Sequence, residues 1–168
     1  SVQAQVVNPQ DLFGTYEFTC TMEITADGNE YADLFSDKCE VVISSGSPYD
    51  LMICGLAGST VEEGQTANYS NGNIRVMSPN GSSYYYWGAP VVLGSAEGLS
   101  PFGGSAWELN YTVDVNTKEI ILNDFTAITV DGAWNTDKVL AKFTNCKLTF
   151  KAGETVEIND LSGEYRFE

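Results

Sequence analysis

The chain predicts an all-β fold, an antiparallel up-and-down barrel of about eight to ten strands with little helix, and three observations carry that prediction. Turn dipeptides punctuate the sequence: Asp27-Gly28, Asn71-Gly72, Asn80-Gly81 and Asp131-Gly132 all suit tight hairpins. Glycine accepts a positive φ without steric cost, and Asn or Asp accepts it better than most residues. The stretches between these turns alternate apolar and polar residues with the period of two that a half-buried strand requires. Strong helix formers are nowhere concentrated over three consecutive turns, whereas 16 glycines and nine tyrosines favour turns and strands.

Each element follows from these signals in order. Asn8 to Phe13 can hold a helical turn, placed as a plug across one barrel mouth. In the first strand Tyr16, Phe18, Cys20, Met22 and Ile24 share one face, and Glu17, Thr19, Thr21, Glu23 and Thr25 share the other. Glu30 to Ser36 is the second place where a helical turn is expected. Further strands are expected over about residues 38–45, 49–56, 73–78, 82–93 and 119–130, with 163–168 at the end. Trp107, Leu109, Tyr111, Val113 and Val115 form the apolar face of another strand, and Asn116-Thr117 turns the chain after it. In 138–150 the apolar parity runs Val139, Ala141, Phe143 and then switches to Cys146, Leu148, Phe150. One extra residue near Thr144-Asn145, a β-bulge, accounts for the switch.

The 168 residues suit a single barrel domain over 1–168, with 1–10 as an N-terminal extension. Asp11-Leu12-Phe13-Gly14-Thr15-Tyr16-Glu17-Phe18 is echoed by Asp160-Leu161-Ser162-Gly163-Glu164-Tyr165-Arg166-Phe167. Residues 160–168 are therefore expected either to close the sheet beside the first strand, removing a free edge, or to open a truncated second domain.

A net charge of −15 repels a phosphate backbone and makes nucleic acid an improbable partner. The acidic residues are scattered, with no calcium-loop spacing, so the charge reads as solubility. No apolar run reaches the ~20 residues needed to cross a bilayer as a helix. Histidine is absent, which removes Ser-His-Asp and Cys-His catalysis and the common histidine-containing metal sites. Glu62-Glu63, Asp114, Asp124 and Asp137 could supply a carboxylate pair for glycoside chemistry, but no two stand at a defined spacing. The expectation is no enzyme, no catalytic residue, no metal and no cofactor. Cys20, Cys39, Cys54 and Cys146 lie far apart with no Cys-x-x-Cys pair, and two readings stay open for them. They are buried thiols, or they form one or two disulfides in an exported protein.

The feature that points most directly to binding is Tyr84-Tyr85-Tyr86-Trp87, followed by Gly88-Ala89-Pro90 and then Pro101-Phe102-Gly103-Gly104. In a strand, alternate members of the aromatic run point outward, and flat rings with polar tips stack on sugars or line a ligand mouth. Tyr84, Tyr85, Tyr86, Trp87, Phe102 and Trp134 are the candidate ligand-binding residues. The competing reading makes two of the run core and has the 94–105 loop shield the others. Sequons at Asn68, Asn80 and Asn110 occur about as often as chance allows in a chain of this composition.

Gly14-x-Tyr16-x-Phe18 opening a long strand resembles the lipocalin-like (calycin-like) β-barrel domains of surface lipoproteins from gut Bacteroidetes. So do Leu51-Met52-Ile53-Cys54-Gly55-Leu56, Ala67-Asn68-Tyr69 before a turn, and Asn73-Ile74-Arg75-Val76 after it. The likeness covers about two thirds of the chain; many lipocalins carry a tryptophan where Tyr16 stands. The resemblance implies export to the cell surface or periplasm, a lipidated cysteine upstream of Ser1 as the one membrane attachment, and a role beside nutrient-uptake machinery. The function expected is a non-catalytic binding module for a glycan or other small extracellular ligand. The alternative is a structural or assembly subunit that docks onto another surface protein.

Overall fold

The computed structural model describes residues 5–32, 39–58, 64–77, 84–86, 89–95, 109–130 and 136–153. They form β1 (Gly14–Ile24), β2 (Glu30–Tyr31), β3 (Glu40–Ser45), β4 (Leu51–Cys54), β5 (Gly64–Ser70) and β6 (Asn73–Val76). β7 (Tyr84–Tyr86), β8 (Ala89–Ser95), β9 (Asn110–Val113), β10 (Ile120–Ile121), β11 (Phe125–Val130) and β12 (Thr136–Gly153) follow. Two 3-10 turns, Pro9–Leu12 and Leu56–Gly58, are the helical elements among the described residues.

Eight strands close into an antiparallel, lipocalin-like barrel in the order β1-β3-β4-β5-β6-β9-β10-β12, with β12 returning to β1. The seam is long: Gly14–Ile24 pairs with Gly153 back to Ala141. Closure is therefore made by β12, and along Gly14–Glu17 the other edge of β1 is occupied by β3. Residues 160–168, expected at this seam, lie outside the described residues.

β1 and β12 run on past the ring, and a second group of strands pairs onto their overhang. β2 joins β1 at Met22 and Glu23, on the edge that β3 uses lower down. β11 joins β12 from Phe143 to Thr136, on the edge that β10 uses at Leu148 and Lys147. β8 and then β7 complete a six-stranded extension, β2-β1-β12-β11-β8-β7. Among the described residues the strands of the extension end at β2 and β7, and none of them pairs with β4 or β5.

The ring obeys the alternation read from the sequence. Inward Tyr16, Phe18, Ile43, Leu51, Ile53 and Tyr111 are each less than 2% exposed and belong to one contiguous core. Phe125 stacks on Phe143 with centroids 4.6 Å apart and tilts against Phe18 at 6.5 Å, so aromatic packing continues from ring to extension. The Pro9–Leu12 turn is the expected plug. Leu12 is fully buried, the Tyr16 hydroxyl donates to its carbonyl at 2.7 Å, and the Val6 N–H donates to the Val115 carbonyl at 2.8 Å. Asp11 fastens the plug by accepting the N–H groups of Asn8 (2.8 Å) and Val7 (3.0 Å), and these bonds hold its carboxyl below the ordinary value of 3.8. Gly14 follows with φ 149°, and the Ala152 carbonyl oxygen stands where a Cβ would be, which accounts for glycine at the head of the seam.

Asn71-Gly72 closes a two-residue hairpin with φ of 47° and 83°, as the dipeptide predicts. Asp27-Gly28 instead sits in a four-residue loop, in which the Gly28 N–H reaches the Ile24 carbonyl and the Ile24 N–H the Asn29 carbonyl. The β9–β10 loop has the same build, with Lys118 at φ 66° in the place of Gly28 at 73°. The predicted bulge is present. The β1–β12 register shifts between Thr19/Lys147 and Thr21/Thr144, and the extra residue, Asn145, has φ 53°.

Four expectations need correction. Glu30 and Tyr31, the start of the segment expected to hold a helical turn, are strand, paired with Glu23 and Met22, because an edge of β1 is free to template them once β3 has ended; 33–36 lie outside the described residues. Residues 119–130 are two strands, β10 and β11, since their pairing partners change from β9 to β8 at 122–124. Residues 82–93 likewise divide into β7 and β8, which pair with each other. β5 was not expected as a strand, because Gly64-Gln65-Thr66-Ala67-Asn68 lacks large apolar residues.

Candidate functional site

The extension carries the residues that the sequence marks for binding. Tyr84, Tyr85 and Tyr86 form β7, the terminal strand of the sheet, bonded to β8 through Tyr84/Val91, Tyr85/Pro90 and Tyr86/Ala89. Their side chains, together with Trp87, Phe102 and Trp134, lie outside the described residues. The structure thus sets three of the six, Tyr84, Tyr85 and Tyr86, on one terminal strand.

A polar pair that the sequence reading missed lies inside the ring. Gln65 faces inward because it shares parity with Ala67 and Tyr69, counted back from the Asn71-Gly72 hairpin, and that count is the signal that could have found it. Its Oε1 accepts the Tyr111 hydroxyl at 2.9 Å. Its Nε2 is buried with no partner. A primary amide carries two N–H donors, and leaving a buried polar group unmatched costs about 1–3 kcal/mol. Turning the amide over would only exchange an orphan donor for an orphan acceptor. Burial pushes the Tyr111 phenol well above its ordinary value of 10.0, outweighing the lowering by Gln65, so it stays a neutral donor. Gln65 is one residue in from the end of β5 nearest the extension.

A concavity lies at the fork between β10 and β11. It is an open cleft of about 370 Å³ lined by Ile121, Leu122, Asp124, Asn145, Cys146 and Lys147. The bulge makes it, since Asn145 is turned outward in the left-handed region while Cys146 returns to the core. Lys147 is tied to Glu119 at 3.5 Å, a half-exposed ion pair worth at most about 1 kcal/mol. Asp124 is the single carboxylate lining this cleft. Among the described residues no group of three Cys, Asp or Glu side chains could hold a metal ion.

Fold and interior together define an antiparallel, lipocalin-like β-barrel protein with, among the described residues, the unmatched Gln65 amide on its inner wall. No family model, characterised protein or solved structure matches the chain.

Proposed function

We propose that the protein is a non-catalytic binding module, exported and displayed at the cell surface in the manner of lipocalin-like lipoproteins of gut Bacteroidetes, which takes a glycan or other small extracellular ligand beside nutrient-uptake machinery. The observation that carries the reading is the unmatched Gln65 amide on the inner wall, beside the Tyr111 hydroxyl. A buried donor of this kind gains a full hydrogen bond when an acceptor reaches it, and sugar hydroxyls, ring oxygens and carbonyls are such acceptors. The terminal strand β7 is made of three tyrosines of the aromatic run that the sequence favours for stacking on sugars. Catalysis has less support, since the fork cleft presents Asp124 without a facing carboxylate.

Calorimetry and intrinsic fluorescence against a glycan panel test the proposal. Binding that weakens about tenfold in Gln65→Leu, the effect of one lost hydrogen bond of roughly 1.4 kcal/mol, supports it. A panel with neither heat nor fluorescence change overturns it. The alternative, a structural or assembly subunit, draws on the sheet ending at β2 and β7, each paired on one side in the sheet order. Co-purification with a membrane partner, without small-ligand affinity, would favour that reading.

A further inference from the structure

The seam that closes the barrel brings two cysteines together at its bulge. Thr19 pairs with Lys147 and Thr21 with Thr144, so Cys20 alone faces the two residues Asn145 and Cys146, and Asn145, at φ 53°, is the extra one. Both side chains point into the core, 4% and 1% exposed. Residues that face each other across an antiparallel pair have Cα atoms about 4.5–5.5 Å apart. That range falls inside the roughly 4.4–6.8 Å that a disulfide spans. Both thiols are free and buried in this structure, and the nearness of Cys20, with burial, pushes the Cys146 thiol far above its ordinary value of 9.0.

We infer that Cys20 and Cys146 are the two halves of a structural disulfide that locks β12 to β1 and so staples the barrel shut. The other cysteines are placed differently. Cys39 lies opposite Phe18, its N–H partner across the β1–β3 edge, and its thiol is directed at the Gly55 carbonyl, 3.4 Å away. Cys54 is on β4, opposite Val42 and Gly64. Neither belongs to the seam.

The chemistry is thiol–disulfide exchange with a small or protein disulfide as oxidant. One cysteine thiolate attacks the oxidant, forming a mixed disulfide and expelling one thiolate. The second cysteine then attacks the first, expelling the other, so two electrons and two protons pass to the oxidant, which leaves as two thiols. Buried, protonated thiols do not attack, so the bond forms while β12 is docking and is shielded once the core closes. It joins positions 126 residues apart (146 − 20). A link of that length removes more freedom from the unfolded chain than a local one, although native-state strain can offset part of the gain.

The test is refolding of the full chain from denaturant in a mixture of oxidised and reduced glutathione, followed by acid quenching, alkylation and peptide mapping. The expected product is a Cys20–Cys146 peptide pair lacking two hydrogens, with alkylated Cys39 and Cys54. Its midpoint in urea should lie above that of the Cys20→Ala/Cys146→Ala chain, a variant that keeps the core apolar. Chain secreted to a bacterial periplasm and alkylated before purification provides a second sample that needs no refolding. Native near-ultraviolet dichroism with Cys20 and Cys146 both alkylated, or a bond from either one to Cys39 or Cys54, overturns the inference. The outcome is independent of whether any glycan binds.

Discussion

Ring and extension share β1 and β12, yet they bury their strands in different ways. In the ring, β1 alternates buried and half-buried residues along its length, and β6 and β9 alternate buried and exposed ones. In the extension, Val91 to Gly94 of β8 and Phe125 to Thr129 of β11 are all buried. Val91, Leu93 and Ala127 face the main core, while Val92 and Ile128 make a second small cluster with Val139 on the opposite face. A sheet with one wet face writes its orientation into the sequence. A sheet covered on both faces does not, because apolar residues are then favourable at every position.

The comparison can be broken at the joint first. Phe125→Ala should cost about 3–5 kcal/mol, because it removes a ring stacked between Phe143 and Phe18 where the two regions meet. Urea unfolding measures it, and a loss under about 1 kcal/mol would show that the regions are not packed as one body. A sharper contrast pairs two isoleucines that both point away from the main core. Ile128→Ala should cost about 2–4 kcal/mol. Ile121→Ala, on a residue 48% exposed, should stay within about 0.5 kcal/mol. Equal effects would erase the distinction between covered and uncovered faces.

Smaller effects test the turns that hold the ring. Gly72→Ala forces a Cβ into φ 83° and should cost about 1 kcal/mol. Lys118→Gly relaxes a similar strain at φ 66° but removes an ammonium 4.4 Å from the Phe150 ring, so the two terms, each near 1 kcal/mol, should nearly cancel. Thermal melts of both variants separate these cases. A small, pH-dependent effect is expected at the plug. Asp11 has its folded pKa lowered by the Asn8 and Val7 N–H groups, so its contribution is present above pH 3.8 and lost as pH falls through the lower folded value. Melting temperatures of the parent chain and Asp11→Asn should differ near neutrality and converge in acid; a constant gap would refute the assignment. Because Asp11 is close to solvent, its effect is screened.

The sequence by itself determined the all-β class, the plug at Pro9–Leu12, the Asn71-Gly72 hairpin and the bulge at Asn145, because each is written in local residues: a proline, an Asn-Gly pair, a slip of parity. It left β5 unseen, since Gln65, Thr66 and Ala67 carry little apolar signal until Ile53 and Val76 are known to flank them. It also pointed to aromatic residues for binding, and missed Gln65 and Tyr111, which meet only when β5 and β9 are brought to the two sides of β6. The division into ring and extension, the change of partners between β10 and β11, and the nearness of Cys20 to Cys146 were decided by the tertiary structure. They depend on which edge of a long strand a distant segment occupies, and no local pattern of residues encodes that choice.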